Sequence, residues 1–439
     1  MITTRPPFRI LVLCNLLVLL LGCRSRPDQP QQLAEDHLFK PTSKEVISSP
    51  LAHDFDGDGT KEIAVGSWDG NFYLVDAQLN DLPGWPRYSP KGYFSSPALA
   101  DLDGDGHPEI LVSSEAGKLF AWHVEGQDAA GFPVDLGSPS WASPTVMDGP
   151  RVAIGSYEQM LVLDATGEPR PGWPQPILGW PDATAATAPG LLVVTTLTPG
   201  DPSQGWLYAW TEGGELLPGF PLDLPLDSDS SPALAGFDGD DQVWIVVGDD
   251  AGWLHVVDTE ARERPGFPVR VAGPRPGPTP TPHPPGGNIY SIEASPAVAD
   301  LDGDGRLEIA VGSWDGRMYV WDDAGHLLPG WPVEVQDQII SSAALVDLDS
   351  DDRLDLIAGS KDGFLYGWTV EGRALPGFPR DLGAPVFSSP WVGDLRQDGQ
   401  ADIVVGANNG IHLLLNVGPL GRQAWPMFHQ NPRRTGAVP

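Results

Sequence analysis

With 439 residues, 41% of them hydrophobic and 16 of them tryptophan, the chain has material for a large core, which excludes a disordered protein. Its 52 glycines and 47 prolines point to many short strands joined by tight turns rather than to long helices. A formal net charge of −33 argues against nucleic acid and anionic lipid headgroups as partners, and it suits divalent cations.

Arg5 and Arg9 precede an apolar run from Ile10 to Leu21, and "LLGC" ends at Cys23. A basic start, an apolar stretch and a small-residue cut site describe an export signal over residues 1–22. The run is short for a membrane-spanning helix. A cysteine directly after the cut resembles the bacterial lipobox. That resemblance implies a lipidated Cys23 and an extracytoplasmic lipoprotein held at the cell membrane, at the cell surface or facing the periplasm. Cys14 and Cys23 are the only cysteines, so the processed chain has no disulfide and draws its stability from packing or metal. Residues 23–37 are polar and rich in Pro and Gln and read as a tether. Residues 38–439 read as the folded domain.

An aromatic–proline pair recurs along that domain. Its aromatic residue falls at Trp85, Phe132, Trp173, Phe220, Phe267, Trp331, Phe378 and Trp425, at spacings of 47, 41, 47, 47, 64, 47 and 47 residues. A fixed period of this size marks a repeat architecture. The short interval lacks an acidic loop. The long one holds the Pro-rich stretch Gly273–Gly287, an inter-blade insertion over about 271–289. Each period reads as four strands. In the sixth these are "ASPAVAD", "LEIAVGS", "GRMYVW" and the segment around "LPGWPVEV". Met318 and Val320 alternate with Tyr319 and Trp321, as a sheet with two different faces requires. Asp–Gly pairs such as Asp69–Gly70, Asp315–Gly316 and Asp362–Gly363 supply the hairpin turns. The expected fold is all-β, a β-propeller of eight four-stranded blades, with seven as the alternative. "LFKP" (residues 38–41) echoes the fourth-strand segment, so the N-terminus is a candidate to complete the last blade.

Four of the repeats carry an acidic loop. In chain order its carboxylates and seventh residue are Asp54, Asp56, Asp58, Thr60 and Glu62; Asp101, Asp103, Asp105, His107 and Glu109; Asp300, Asp302, Asp304, Arg306 and Glu308; and Asp347, Asp349, Asp351, Arg353 and Asp355. Carboxylates at positions 1, 3, 5 and 9, with a backbone carbonyl from position 7, form a hard-oxygen donor set for Ca2+ rather than zinc. Asp–Gly turns need no metal, but four copies at one offset from "SSP" or its variant are a stronger signal, and four equivalent sets weigh against a catalytic carboxylate pair. Two further loops are degraded. The fifth, "GFDGDDQVW", retains Asp238 and Asp240 but has Gly236 and Trp244 in place of its outer carboxylates. The eighth, "DLRQDGQAD", has Arg396 at position 3 between Asp394, Asp398 and Asp402. The guanidinium of Arg396 can stand in for a cation there. Four bound Ca2+ ions are therefore expected, in repeats one, two, six and seven.

"DLDGDGxxEIAVGSxDG" preceded by "SSPALA" resembles the FG-GAP/VCBS-type repeats, related to the calcium-loop repeats of integrin α-subunit propellers. The likeness runs from about Ser48 to Trp425. It implies a Ca2+-stabilised propeller and a role in extracellular binding or adhesion. No His-Glu-x-x-His, Gly-x-Ser-x-Gly or P-loop motif occurs. Trp122, Trp210, Trp321 and Trp368 recur at one place in the third strand and fit packing between blades, while Trp68, Trp141 and Trp314 are freer to meet a ligand. The expected function is a monomeric binding module without catalysis, for a protein or polysaccharide partner. The alternatives are a polysaccharide-active enzyme of lyase type and an envelope assembly scaffold.

Overall fold

A computed structural model describes residues 36–198, 204–237, 239, 242–271 and 290–438. The export signal, Cys23, residues 24–35 of the tether, most of the Pro-rich insertion, Asp238 and Asp240 lie outside the described residues; His37, expected in the tether, already belongs to a blade strand.

Eight antiparallel sheets, four-stranded except for a fifth strand added to blade seven, form an eight-bladed β-propeller, and no helix occurs among the described residues. Blade six shows the plan: Ala297–Ala299, Glu308–Ser313, Arg317–Trp321 and Val333–Glu334, in that order from the axis outward. The second strand is buried along its whole length, while Arg317 at the start of the third is part-exposed. Alternating apolar residues on these strands face the neighbouring blade on either side, so the core is a ring of inter-blade layers.

The aromatic–proline pairs have a physical role in this stacking. Seven of them, from Trp85–Pro86 to Phe378–Pro379, are joined by cis peptide bonds. Trp85, Trp173 and Trp331 each donate an indole N–H to a carbonyl of the next blade, at Val124 (2.6 Å), Glu212 (3.1 Å) and Val370 (2.7 Å). The same rings pack edge-on against Trp122, Trp210 and Trp368 of that blade. Both aromatic series are thus inter-blade cement. Close approach also explains the glycine of "VGS": a Cβ on Gly312 would lie 2.3 Å from Ile339 Cγ2 of the following blade.

Ring closure matches the expectation for "LFKP". His37–Pro41 pairs antiparallel with Gly410–Pro419 and supplies the outermost strand of blade eight, next to Gln400–Ala407 and Trp391–Gly393. The eighth aromatic–proline pair departs from the ruler. With the outer place already filled, Gln423–Trp425 pairs instead with the inner strand Ala344–Val346 of blade seven, and Trp425–Pro426 is not among the cis bonds. Beyond it the chain crosses the axis. Carbonyls of Pro426, Pro432, Arg433, Thr435 and Gly436 accept N–H groups from Val392, Leu99, Val146, Thr187 and Leu234, on the inner strands of blades eight, two, three, four and five. The C-terminal segment is therefore a plug in the central channel. Arg434 is fully buried there, donating to the carbonyls of Pro97 (2.8 Å), Ser49 (3.2 Å) and Phe428, and desolvation holds its guanidinium down to a pKa of about 9.

Candidate functional site

In blades one, two, six and seven the inner strand starts at the "SSP" segment or its variant and ends at the acidic loop, so these two features lie on opposite faces of the propeller.

On one face the four acidic loops share one geometry. The first carboxylate folds the loop: Asp54 accepts the N–H groups of Gly57 (2.8 Å) and Gly59 (3.1 Å). Asp56 accepts Asp58 N–H (3.1 Å) and Asp58 accepts Thr60 N–H (2.7 Å). Glu62, buried at the head of the second strand, accepts Phe55 N–H (2.9 Å). The same bonds recur around Asp101, Asp103, Asp105, His107 and Glu109, and around Asp300, Asp302, Asp304, Arg306 and Glu308. Blade seven repeats the bonds of the first, fifth and ninth positions, through Asp347, Asp351 and Asp355. In blades one, two and six the carboxylates at positions 1, 3 and 5 bring one oxygen each within 4.8 Å of the others. Positions 4 and 6 need positive φ, which Gly57 and Gly59 adopt freely; in blade seven Ser350 (φ 63°) and Asp352 (φ 67°) adopt it at a cost.

Charge crowding shows in the ninth position. Burial, reinforced by the neighbouring carboxylates, pushes Glu62 up to about 7, Glu308 up to about 8 and Asp355 up to about 7; Glu109 is raised for the same first reason. An all-oxygen donor set of this kind fits a hard divalent cation, whose charge removes the repulsion. Blade seven differs in its own cation: Arg353 holds Asp351 (2.6 Å) and Glu371, which keeps the Asp351 carboxyl low. In blade two, His123 Nδ1 lies 3.0 Å from Glu109 Oε1, a contact that repeat reasoning missed because blades one and six have Asp76 and Asp322 at the corresponding place.

Both degraded loops carry an internal cation. Arg396 lies 2.9 Å from Asp402 and 3.3 Å from Asp398, with a further bond to Asn416 (2.9 Å). Burial opposes its charge, but these carboxylates outweigh burial and raise its pKa. In blade five, Arg264 stacks on Trp244 and Phe237, with its guanidinium carbon 4.9 and 5.0 Å from the ring centres.

On the other face the channel opens into a cavity of about 530 Å³. Its floor is a closed ring of hydroxyls. Each blade's second serine, or Thr184 in blade four, accepts the backbone N–H of its counterpart in the preceding blade, from Ser49 N–H on Ser96 Oγ (2.9 Å) round to Ser389 N–H on Ser49 Oγ (3.0 Å). The residue two places before each hydroxyl lines the wall. In blades seven, eight, one, two and three it is Ile340, Phe387, Ile47, Phe94 and Trp141; in blades four, five and six it is Asp182, Asp229 and Glu293. Trp314 and Lys361 also reach this wall. Burial pushes Asp182 up to about 7. Burial, with repulsion from Asp227, pushes Glu293 up to about 7, and burial, with repulsion from Glu293, pushes Asp250, behind them, up to about 8; Asp229 is raised by burial and by Glu293 and Asp250. Sequence reasoning missed this acidic arc. The signal was the one variable position of an otherwise repeated "SSP" segment.

Comparison with known proteins agrees with the architecture. Residues 54–112 and 300–358 match the FG-GAP-like repeat family. No curated protein sequence matches the chain. Among solved structures, a europium-containing methanol dehydrogenase aligns at a TM-score of 0.59 and 13% identity, over 85% of this chain and 84% of that one. The computationally designed Ika8 protein aligns at 0.54 and 14% identity, over 86% and 98%. BamB from Moraxella catarrhalis aligns at 0.47 and 16%, over 78% and 97%. At such identities the first two likenesses speak to fold alone. The chain is thus an eight-bladed β-propeller carrying FG-GAP-like repeats.

Proposed function

We propose that this propeller is a non-catalytic binding module, stabilised by Ca2+ in the acidic loops of blades one, two, six and seven, which presents the channel face to a ligand. The observation that carries the reading is the separation of the two faces. Acidic loops equivalent by repeat, three of them with carboxylate oxygens close enough to share one ion, lie on one face, while the other face holds a cavity whose wall differs from blade to blade. Repeated features answer a need of the fold; unrepeated ones discriminate a partner. Calcium-assisted polysaccharide cleavage is disfavoured by the same separation, since the cavity and its Lys361 lie across the propeller from the loops. The "LLGC" segment supports a lipid anchor at Cys23 and hence work outside the cytoplasm, with a protein or polysaccharide partner.

Calcium is tested by melting and titration. At free Ca2+ about 100-fold above the dissociation constant each site adds about 2.7 kcal/mol, so chelation should cost about 11 kcal/mol across four sites. With an unfolding entropy of about 2.1 cal/mol/K per residue, that is a fall in Tm of about 13 °C for a domain of roughly 400 residues. Ca2+ should restore it and Mg2+ should not, because Mg2+ keeps its water in such sites. A Tm indifferent to chelator in metal-free protein would refute the calcium reading.

A further inference from the structure

We infer that the channel cavity is a binding site for a small organic cation, an ammonium or guanidinium group on an apolar stem. The inference rests on the reading of the channel face as the ligand face, and it names the ligand's chemistry.

Four observations lead to it. First, the site is a built cavity rather than a surface cluster. Its volume of about 530 Å³ lies within the roughly 300–1,000 Å³ usual for small-ligand sites, the hydroxyl ring rims its base, and Phe428 of the plug belongs to its lining. Second, its wall is divided. Five consecutive blades contribute apolar side chains, with Phe94 and Trp141 stacked at 5.1 Å and 17°. Three consecutive blades contribute Asp182, Asp229 and Glu293. Third, the acidic half has more negative charge than its one counter-charge, Lys361, can balance. Among the described residues neither Asp182 nor Asp229 takes a hydrogen bond or ion pair, although protein encloses Asp229 on every side but the cavity. The Trp314 indole lies near enough to Glu293 to hold its carboxyl down somewhat, and Asp250 takes a bond from Ser291 Oγ. Lys361 is the one cationic side chain in the lining, and its ammonium is already bonded to Gln338 (3.2 Å). Fourth, the propeller elsewhere answers a crowded carboxylate group with an internal guanidinium, as Arg396 does in blade eight. The cavity's carboxylates outnumber the single Lys361 that the chain sets beside them.

Half-buried carboxylates with too little counter-charge are costly, and here desolvation drives them towards their neutral forms. A ligand cation brought between Asp229 and Glu293 restores their charge and gains charge-assisted hydrogen bonds. A bare metal ion would leave the aromatic half without contacts. An anionic or purely apolar ligand would leave the acidic half unsatisfied. A cationic head with an apolar body uses both, and the rings of Trp141 and Phe94 can face the cation or its stem.

The test compares 4-phenylbutylamine with 4-phenylbutanol, which shares the stem and lacks the charge, by calorimetric titration of the calcium-loaded full chain. The amine should bind saturably and at least about tenfold more tightly, the value of a charge-assisted hydrogen bond. Asp229→Asn and Glu293→Gln should each weaken the amine about ten- to hundredfold and leave the alcohol unchanged. Both variants should melt no lower than the parent, since each removes a half-buried carboxylate whose charge its surroundings disfavour; loss of binding then cannot be misread as loss of folding. Trp141→Ala should weaken amine and alcohol alike. Equal affinity for the two probes, no saturable amine binding at millimolar concentration, or an Asp229→Asn variant that binds the amine like the parent would each overturn the inference. A neutral or anionic ligand found to bind more tightly than the amine, in a Trp141-dependent way, would overturn it too, while leaving the channel face as the ligand face.

Discussion

Replacing Arg396 by aspartate should convert blade eight from an ion-paired loop into a fifth calcium site. In the parent, Arg396 bonds Asp402 through two nitrogens (2.9 and 3.3 Å), and the Asp402 side chain has no exposed surface. Breaking a buried pair of this kind costs about 3–5 kcal/mol; the arginine keeps a quarter of its surface exposed, which favours the lower figure. In chelator, Arg396→Asp should therefore lose about 3 kcal/mol, a fall in Tm of about 4 °C for a domain of roughly 400 residues. In calcium at about 100-fold its dissociation constant the new site returns about 2.7 kcal/mol, so the variant should melt within about 1 °C of the parent. Calorimetric titration at millimolar Ca2+ is the matching assay, because extracellular modules bind at about 10⁻⁴–10⁻³ M. The parent should bind four ions and the variant five. If the variant binds the parental number and melts lower by the same margin with and without calcium, Arg396 is no cation surrogate. If it is not destabilised in chelator, the ion pair contributes nothing to the fold.

Other outcomes can be checked separately. Ser350→Gly should stabilise the calcium-free protein by about 0.5–1 kcal/mol in denaturant melts, because glycine relieves the positive φ that Gly57 and Gly59 hold without strain elsewhere. The pH dependence has a definite sign. Glu293 titrates near 7 in the fold against an ordinary value near 4, so its contribution to stability is intact below about pH 4 and is lost as pH rises through 7. Calcium-saturated protein should melt lower at pH 8 than at pH 6, and Glu293→Gln should reduce that difference; an unchanged profile would remove Glu293 from the account. Cys23→Ser, expressed in a bacterial host, should leave unprocessed precursor or soluble protein, whereas normal membrane retention of the variant would end the lipoprotein reading.

What the sequence disclosed follows from what the blades share. Each blade solves one packing problem, so Trp85, Trp173 and Trp331 recur because each must reach a carbonyl on the next blade, and Gly312 recurs as the glycine of "VGS" because its neighbour leaves no room for a Cβ. The acidic loops were legible for the same reason, down to the guanidinium that replaces a carboxylate at Arg396. Closure by residues 38–41 left a detectable echo because the N-terminal strand fills the place of a repeat's own fourth strand. The plug left none. Trp425 keeps the spacing of the ruler, but its outer place is taken, and only the completed ring shows that the segment after it must turn inward to reach the inner strands of five blades. The acidic arc was hidden in another way. Asp182, Asp229 and Glu293 are far apart in sequence and share no period of their own; they become neighbours because the ring sets the same variable position of successive blades side by side. A repeat protein therefore conceals its recognition chemistry where its repeats disagree. For this chain the acidic part of that disagreement falls at one position in three consecutive blades, so exchanging Asp182, Asp229 and Glu293 for the apolar residues of the opposite blades would change what the cavity accepts.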